Sequence, residues 1–273
     1  EPIKSNRQLA QEVPKFEIKR KQFNEAEKGF WLKFGINEQT LKRFNVSSLE
    51  EFSTTSKIGN PYTTKSSFDK FIFAYENDNW VKLYKPLDEK KYKFQYLGTK
   101  EQGFIFGWKQ LPDNGELLII TGGEKDVMTL AAKGFNAITL NSETATLPKN
   151  IVDELKLRFK TILVLYDNDE TGLKQSNILA VAHGLHRLVL PTLQNNGKDV
   201  SDYFANGETL EKFNDLLLTA IQTPAPIELD VEKSVYNAVE LLARGEVEQQ
   251  YLMEPIFPQK GSAVLAGKPD TGK

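Results

Sequence analysis

With 273 residues, 40% of them hydrophobic and 26% charged, the chain is long enough to bury the cores of about one to three domains. It has no cysteine, which excludes a disulfide framework and Cys-ligated zinc, and no apolar run near the ~18 residues of a membrane span. Without a secretory signal either, a reducing cytoplasm and no membrane partner are expected.

The net charge of -2 conceals a segregation. Residues 1–110 carry 20 Lys and Arg against 14 Asp and Glu, and the remainder carries 15 against 23. A basic front half beside an acidic second half suits a polyanion-binding surface next to a metal site, although ordinary solvated faces would show the same balance.

In chain order, residues 1–22 are polar and hold Pro2 and Pro14, so they read as an arm or linker. Helical spacing begins near Phe23, and residues 35–52 (GINEQTLKRFNVSSLEEF) predict two short helices around a turn. Residues 53–67 read as a loop, and residues 71–87 (FIFAYENDNWVKLYKPL) as two strands around an Asn-Asp-Asn turn. Residues 91–98 (KYKFQYLG) alternate basic and aromatic positions, predicting a third strand with one wet face. Lys82, Lys85, Lys91 and Lys93, interleaved with aromatics, suit a nucleic-acid track; a plain solvated sheet face is the alternative.

The texture changes after residue 114. Continuous apolar runs at 117–121, 136–141 and 161–166 alternate with helical segments at 125–133, 147–159 and about 170–183. A strand at 186–191, a polar loop and a helix over about 208–219 follow. This alternation predicts a parallel sheet covered on both faces. The segment TPAPIE reads as a linker (223–231), followed by a further start of a domain at 232–273.

Ligands of an open α/β sheet bind at the carboxyl ends of its strands. One such end runs into Gly122-Gly123-Glu124-Lys125-Asp126 and another into Asp167-Asn168-Asp169, while Asp199 and Asp202 follow the next strand. Glu124, Asp167 and Asp169 would then converge on one rim, with Asp199 nearby. Crowded carboxylates repel unless a hard cation neutralises them, so Mg²⁺ or Mn²⁺ is the expected cofactor. Gly123 and Gly172 would allow close approach of phosphate or metal, and Lys125 and Lys198 could contact phosphate or simply be solvated. The tail SAVLAGKPDTGK carries Gly267-x-x-x-x-Gly272-Lys273, the opening of a phosphate-binding P-loop behind a strand. Because the chain opens on Glu1 and stops at Lys273 inside that motif, it is expected to be a piece of a longer protein.

GGEKD, then a strand ending YDNDETG 43 residues after Glu124, then KDVSD, resembles the Toprim domain over roughly residues 115–220. GFWLKFGINEQTLKRFNV and the strands at 71–98 are similar to the segments preceding that domain in primases of the primase–helicase type, and the tail resembles the entrance of a RecA-like helicase. The resemblance implies an α/β fold, a Toprim-like parallel sheet flanked by helices and preceded by a smaller α+β subdomain. It implies a boundary near residue 114, with a basic subdomain at 23–114 and the Toprim domain at 115–222. The activity implied is nucleotidyl transfer: RNA primers made from ribonucleoside triphosphates on single-stranded DNA. Glu124 would help activate the primer 3′-hydroxyl, and Asp167 and Asp169 would hold one or two divalent ions. Homo-oligomerisation would come through the remainder of the helicase.

Two other readings stay open. Asp167-x-Asp169-x-Thr171 also spells the motif of haloacid-dehalogenase-like phosphatases, with Asp167 as nucleophile. That motif usually opens its domain, whereas here a strand–helix–strand–helix unit comes first. A non-catalytic Toprim module serving as a DNA-binding platform is the third possibility.

Overall fold

The computed structural model describes residues 16–56, 58–140 and 145–226, together with two short strands, Tyr251–Met253 and Phe257–Pro258. The chain divides into two units, Glu1–Leu229 and Asp230–Lys273. In the second unit those two strands pair antiparallel.

In the first unit the two halves of the sequence form two different sheets. The front half makes an antiparallel sheet from β1 (Glu17–Lys21), β2 (Val46–Thr55), β3 (Pro61–Lys65), β4 (Phe73–Glu76), β5 (Trp80–Tyr84) and β6 (Phe94–Gly98). Its order is β1-β2-β4-β5-β6, with β3 also on β2. Two helices, α1 (Glu25–Leu32) and α2 (Glu38–Arg43), lie between β1 and β2 in sequence. Asn24 starts α1 with a reciprocal capping box: its side chain accepts from Glu27 N–H, and the Glu27 carboxylate accepts from Asn24 N–H. Glu27 is fully buried yet satisfied, because Lys21 and Ser48 also reach it at 2.7 and 2.8 Å.

The second half alternates strand and helix: β7 (Gly115–Thr121), α3 (Glu124–Ala132), β8 (Asn136–Thr139), α4 (Lys149–Arg158), β9 (Phe159–Leu165), α5 (Glu170–His183) and β10 (His186–Arg187). Helices α6 (Val200–Ala205) and α7 (Leu210–Gln222) follow. The sheet is parallel throughout, in the order β10-β9-β7-β8. Both faces are covered, as continuous apolar strands require. Leu118, Ile120, Ile162 and Val164 pack with α4 and α5 residues, whereas Ile119, Leu163 and Leu165 point into the opposite cluster. That second cluster also holds Trp31, Phe73, Tyr75 and Tyr84 of the front half, so the two sheets share one aromatic-rich core.

The predicted α/β architecture is therefore present, with local differences that include helix α6 in the expected polar loop and a strand β6 that starts at Phe94 rather than Lys91. Residues 17–21, expected within an arm, form β1 paired with β2. The second short helix expected before residue 52 is instead strand β2, and the expected loop at 53–67 contains the end of β2 and all of β3. The three-residue spacing of Leu49 and Phe52 on one face is the trace of a β-bulge: Arg20 pairs with Leu49 and Lys19 with Glu51, leaving Glu50 as the extra residue. The bulge puts Leu49 and Phe52 in one cluster despite their odd–even offset. Lastly, only His186 and Arg187 of the strand expected at 186–191 pair in the sheet.

Candidate active site

Strands β7 and β9 are neighbours in parallel register, with Thr121 opposite Leu165, so the loops that leave them emerge side by side. The loop before α3, the loop 166–169 and the loop before α6 form one rim. Asn168 N–H donates to the Lys198 carbonyl at 2.7 Å and fastens the second loop to the third.

On this rim Asp126, Asp167 and Asp199 each present a carboxylate oxygen within 4.8 Å of the others. Asp126 is buried, at 3% exposure, on the core-facing side of α3. Ser201 holds it: its hydroxyl donates to Asp126 Oδ1 at 2.5 Å and its N–H at 3.3 Å, while Thr129 meets the Ser201 hydroxyl at 3.0 Å. Asp199 is the N-cap of α6, accepting from Asp202 N–H at 2.7 Å. Asp169 caps α5 through Gly172 N–H at 2.9 Å.

Three lysines lie among these acids. Lys125 reaches Asp199 at 3.1 Å and Asp202 at 3.6 Å, with its ammonium 4.2 Å from the centre of the Phe34 ring. Lys198 bridges Asp167 at 2.5 Å and Asp169 at 2.8 Å. Lys82, from β5, pairs with Glu124 at 2.5 Å, and both side chains are largely buried. Burial, then the Asp199 charge, pushes the Asp126 carboxyl well above the ordinary carboxylate range. Burial also raises Asp199, with Lys125 opposing it and Asp202 adding to it. The Lys198 hydrogen bond, then that of Gly172, depresses Asp169. Burial disfavours the charged Lys125, but Asp126, Asp199 and Asp202 outweigh it and raise the ammonium's pKa.

These residues fit a divalent cation. The donors are hard carboxylate oxygens, and burial opposes the ionisation of Asp126 and Asp199 with nothing between them. Gly123 lies beside the cluster, where a Cβ would stand in ordinary contact, 3.4 Å from Asp126 Oδ2. Asp126, Asp167 and Asp199 would hold the ion.

The expected site residues are thus sorted by the fold. Asp167 and Asp199 lie in the carboxylate cluster. Glu124 and Asp169 stand on the same rim but are engaged by Lys82 and Lys198. Gly172 is a close-approach position, but the approaching group is the chain itself: a Cβ would collide with the Asp167 carbonyl oxygen. Of the residues expected to contact DNA, Lys82 is buried against Glu124, and Lys85 lies near Asp88 and Gln95. Lys91 is exposed beside Glu89, and the half-buried Lys93 accepts a backbone hydrogen bond from Lys85. Gly267, Gly272 and Lys273 lie outside the described residues. Asp126 and Ser201 were not singled out from sequence. The available signal was periodicity, since Asp126 sits four residues before the buried Leu130 and so places a carboxylate on the apolar stripe of α3.

Two larger cavities, of about 720 and 870 Å³, lie elsewhere, around Phe44 and Phe106 and around Trp80 and Trp108.

No protein-family model and no curated protein sequence matches the chain. Solved structures do match. A DnaG primase catalytic domain bound to ssDNA aligns with a TM-score of 0.53 at 16% identity, covering 72% of this chain and 74% of that one. A DnaG catalytic core aligns at 0.51 and 16% identity, with coverages of 72% and 73%. The E. coli primase catalytic core gives 0.51 and 16%, with coverages of 71% and 73%. The chain has the fold of primase catalytic cores.

Proposed function

We propose that the chain is the catalytic core of a DNA primase, a nucleotidyltransferase that joins ribonucleoside triphosphates into RNA primers on single-stranded DNA. The observation that carries this is the Asp126–Asp167–Asp199 cluster at the carboxyl ends of neighbouring parallel strands, on a primase-core fold. We assign the parallel-sheet half to the Toprim type and the cation to Mg²⁺ or Mn²⁺, because all the donors are hard oxygens. When bound, the cation supplies Lewis-acid activation of the 3′-hydroxyl and neutralises triphosphate charge.

The chain's own residues do the rest. Ser201 and Thr129 fix the Asp126 carboxylate from behind, and Lys125 keeps the Asp199 loop closed onto α3. Lys82 fixes the Glu124 side chain at the start of α3. The template approaches over the open face of β6. Phe94 and Tyr96 are 48% and 39% exposed there, and Tyr92, just before the strand, is 54% exposed, with Lys82, Lys100 and Lys91 ammonium groups over the respective rings. The Lys90 charge adds, as the smallest contribution, to the lowering of Asp169. The phosphatase alternative is disfavoured because β7, α3, β8 and α4 all precede Asp167, and the buried acid Asp126 belongs to α3, the first helix of that unit. Residues 232–273 complete the proposal as the opening of a RecA-like helicase domain, through which the protein would oligomerise.

The test is RNA synthesis. The protein is incubated with single-stranded DNA carrying a short annealed RNA, labelled ribonucleotides and Mg²⁺ or Mn²⁺. Extension is expected for the wild type, with a loss of about 100-fold or more in Asp167→Asn, the scale on which key catalytic groups act. No extension with either metal sinks the proposal.

A further inference from the structure

We infer that Lys198 takes the place of a second metal ion, so that the rim accepts one divalent cation rather than two. This rests on the reading of Asp126, Asp167 and Asp199 as a cation site. Two-metal nucleotidyl transfer places its ions about 3.5–4 Å apart, sharing a carboxylate. Here Asp167 is shared, but its second partner is an ammonium group. The Lys198 Nζ lies 2.5 Å from Asp167 Oδ2 and 2.8 Å from Asp169 Oδ2, spanning both arms of the Asp-x-Asp pair.

The placement is built into the backbone. Lys198 N–H donates to Asp202 Oδ2 at 3.1 Å, and its carbonyl accepts from Asn168 N–H at 2.7 Å. Both ends of its peptide environment are therefore tied to the loops that carry the acids. The neighbouring residue is Asp199, itself in the cluster, so one dipeptide supplies a cation ligand and the cation's substitute. Lys82 treats Glu124 in the same way from the other sheet, at 2.5 Å. The acids outside the cluster on either side are thus neutralised by the chain itself. An ammonium is a compact point charge with three donors. Asp167 and Asp169 engage two of them, and the third belongs to a side chain that is 47% exposed.

Titration of the whole chain with Mn²⁺, without nucleotide, tests this by electron paramagnetic resonance, which reads free and bound ion separately. The wild type is expected to bind about one equivalent, and Asp126→Asn to weaken that binding at least tenfold. Lys198→Met is expected to take about two equivalents and to show the broadened spectrum of a coupled ion pair. Lys198→Arg is expected to stay near one. Two equivalents in the wild type, no binding, or an unchanged single equivalent in a folded Lys198→Met overturns the inference. If Lys198→Met fails to fold, Lys198→Gln replaces it, and the wild-type count remains decisive. Primer extension by a protein that binds two ions would refute this inference and leave the proposed function standing. One bound ion with no extension would do the reverse.

Discussion

The Asp126 carboxyl is buried against Ser201 beside Asp199, and its raised pKa couples cation binding to stability. The folded state holds a proton on this group more tightly than the unfolded chain does. Without a cation, stability is therefore greatest below the ordinary carboxylate range and is lost as pH rises through the raised value. Asp126→Asn keeps the Ser201 contact and removes the charge. In metal-free buffer at neutral pH it should raise Tm by about 2–4 °C, the shift that ~1 kcal/mol produces in a domain of this size. It should also flatten the pH dependence while abolishing the gain in Tm on adding Mg²⁺. A calorimetric series over pH checks this, and a lower Tm for the variant would contradict it. Gly172 is constrained by space rather than charge. Because a Cβ there would collide with the Asp167 backbone, Gly172→Ala should cost about 3 kcal/mol, the upper end of overpacking penalties, read as a lower urea midpoint.

Among the elements, β6 and the Lys82–Glu124 pair each make a separable prediction. Phe94 and Tyr96 share the outward face of β6, so alanine at either should weaken binding to single-stranded DNA by about 1–3 kcal/mol per stacked base. That loss should be nearly independent of salt. Lys91→Ala should instead reduce the salt slope by about 1. Fluorescence anisotropy with an oligonucleotide at several salt concentrations separates the two, and a salt-dependent loss for Phe94→Ala would remove stacking from the account. Lys82→Met leaves Glu124 buried without its counter-ion, at a cost of about 3–5 kcal/mol, whereas Lys82→Met/Glu124→Leu should recover most of it. A double-mutant cycle on unfolding measures this coupling.

At the scale of the whole molecule, the parallel half was legible in the sequence because its cues are local. Apolar runs that emerge into Gly-Gly-Glu and Asp-x-Asp specify buried strands and place acids at their carboxyl ends. The front half was less legible. Whether residues 46–52 form helix or strand is decided by pairing with β1 and by the bulge at Glu50, and β1 itself looked like an arm until its partner was present. In the site, Asp167 and Asp199 could be read from strand ends. Asp126 could not be separated from Glu124 by spacing alone, since both open α3. The fold chooses by turning Asp126 to Ser201 and leaving Glu124 facing Lys82 on the other sheet. No alternation of residues encodes a salt bridge between β5 and α3.

The account stands on Asp126, Asp167 and Asp199 forming the cation centre. Anomalous diffraction from a crystal soaked in Mn²⁺ tests it most directly. The predicted result is one strong peak about 2.0–2.2 Å from an oxygen of each of these three carboxylates, with Lys198 still against Asp167 and Asp169. A peak coordinated by Glu124 with Lys82 displaced, or no peak at the rim, would contradict it.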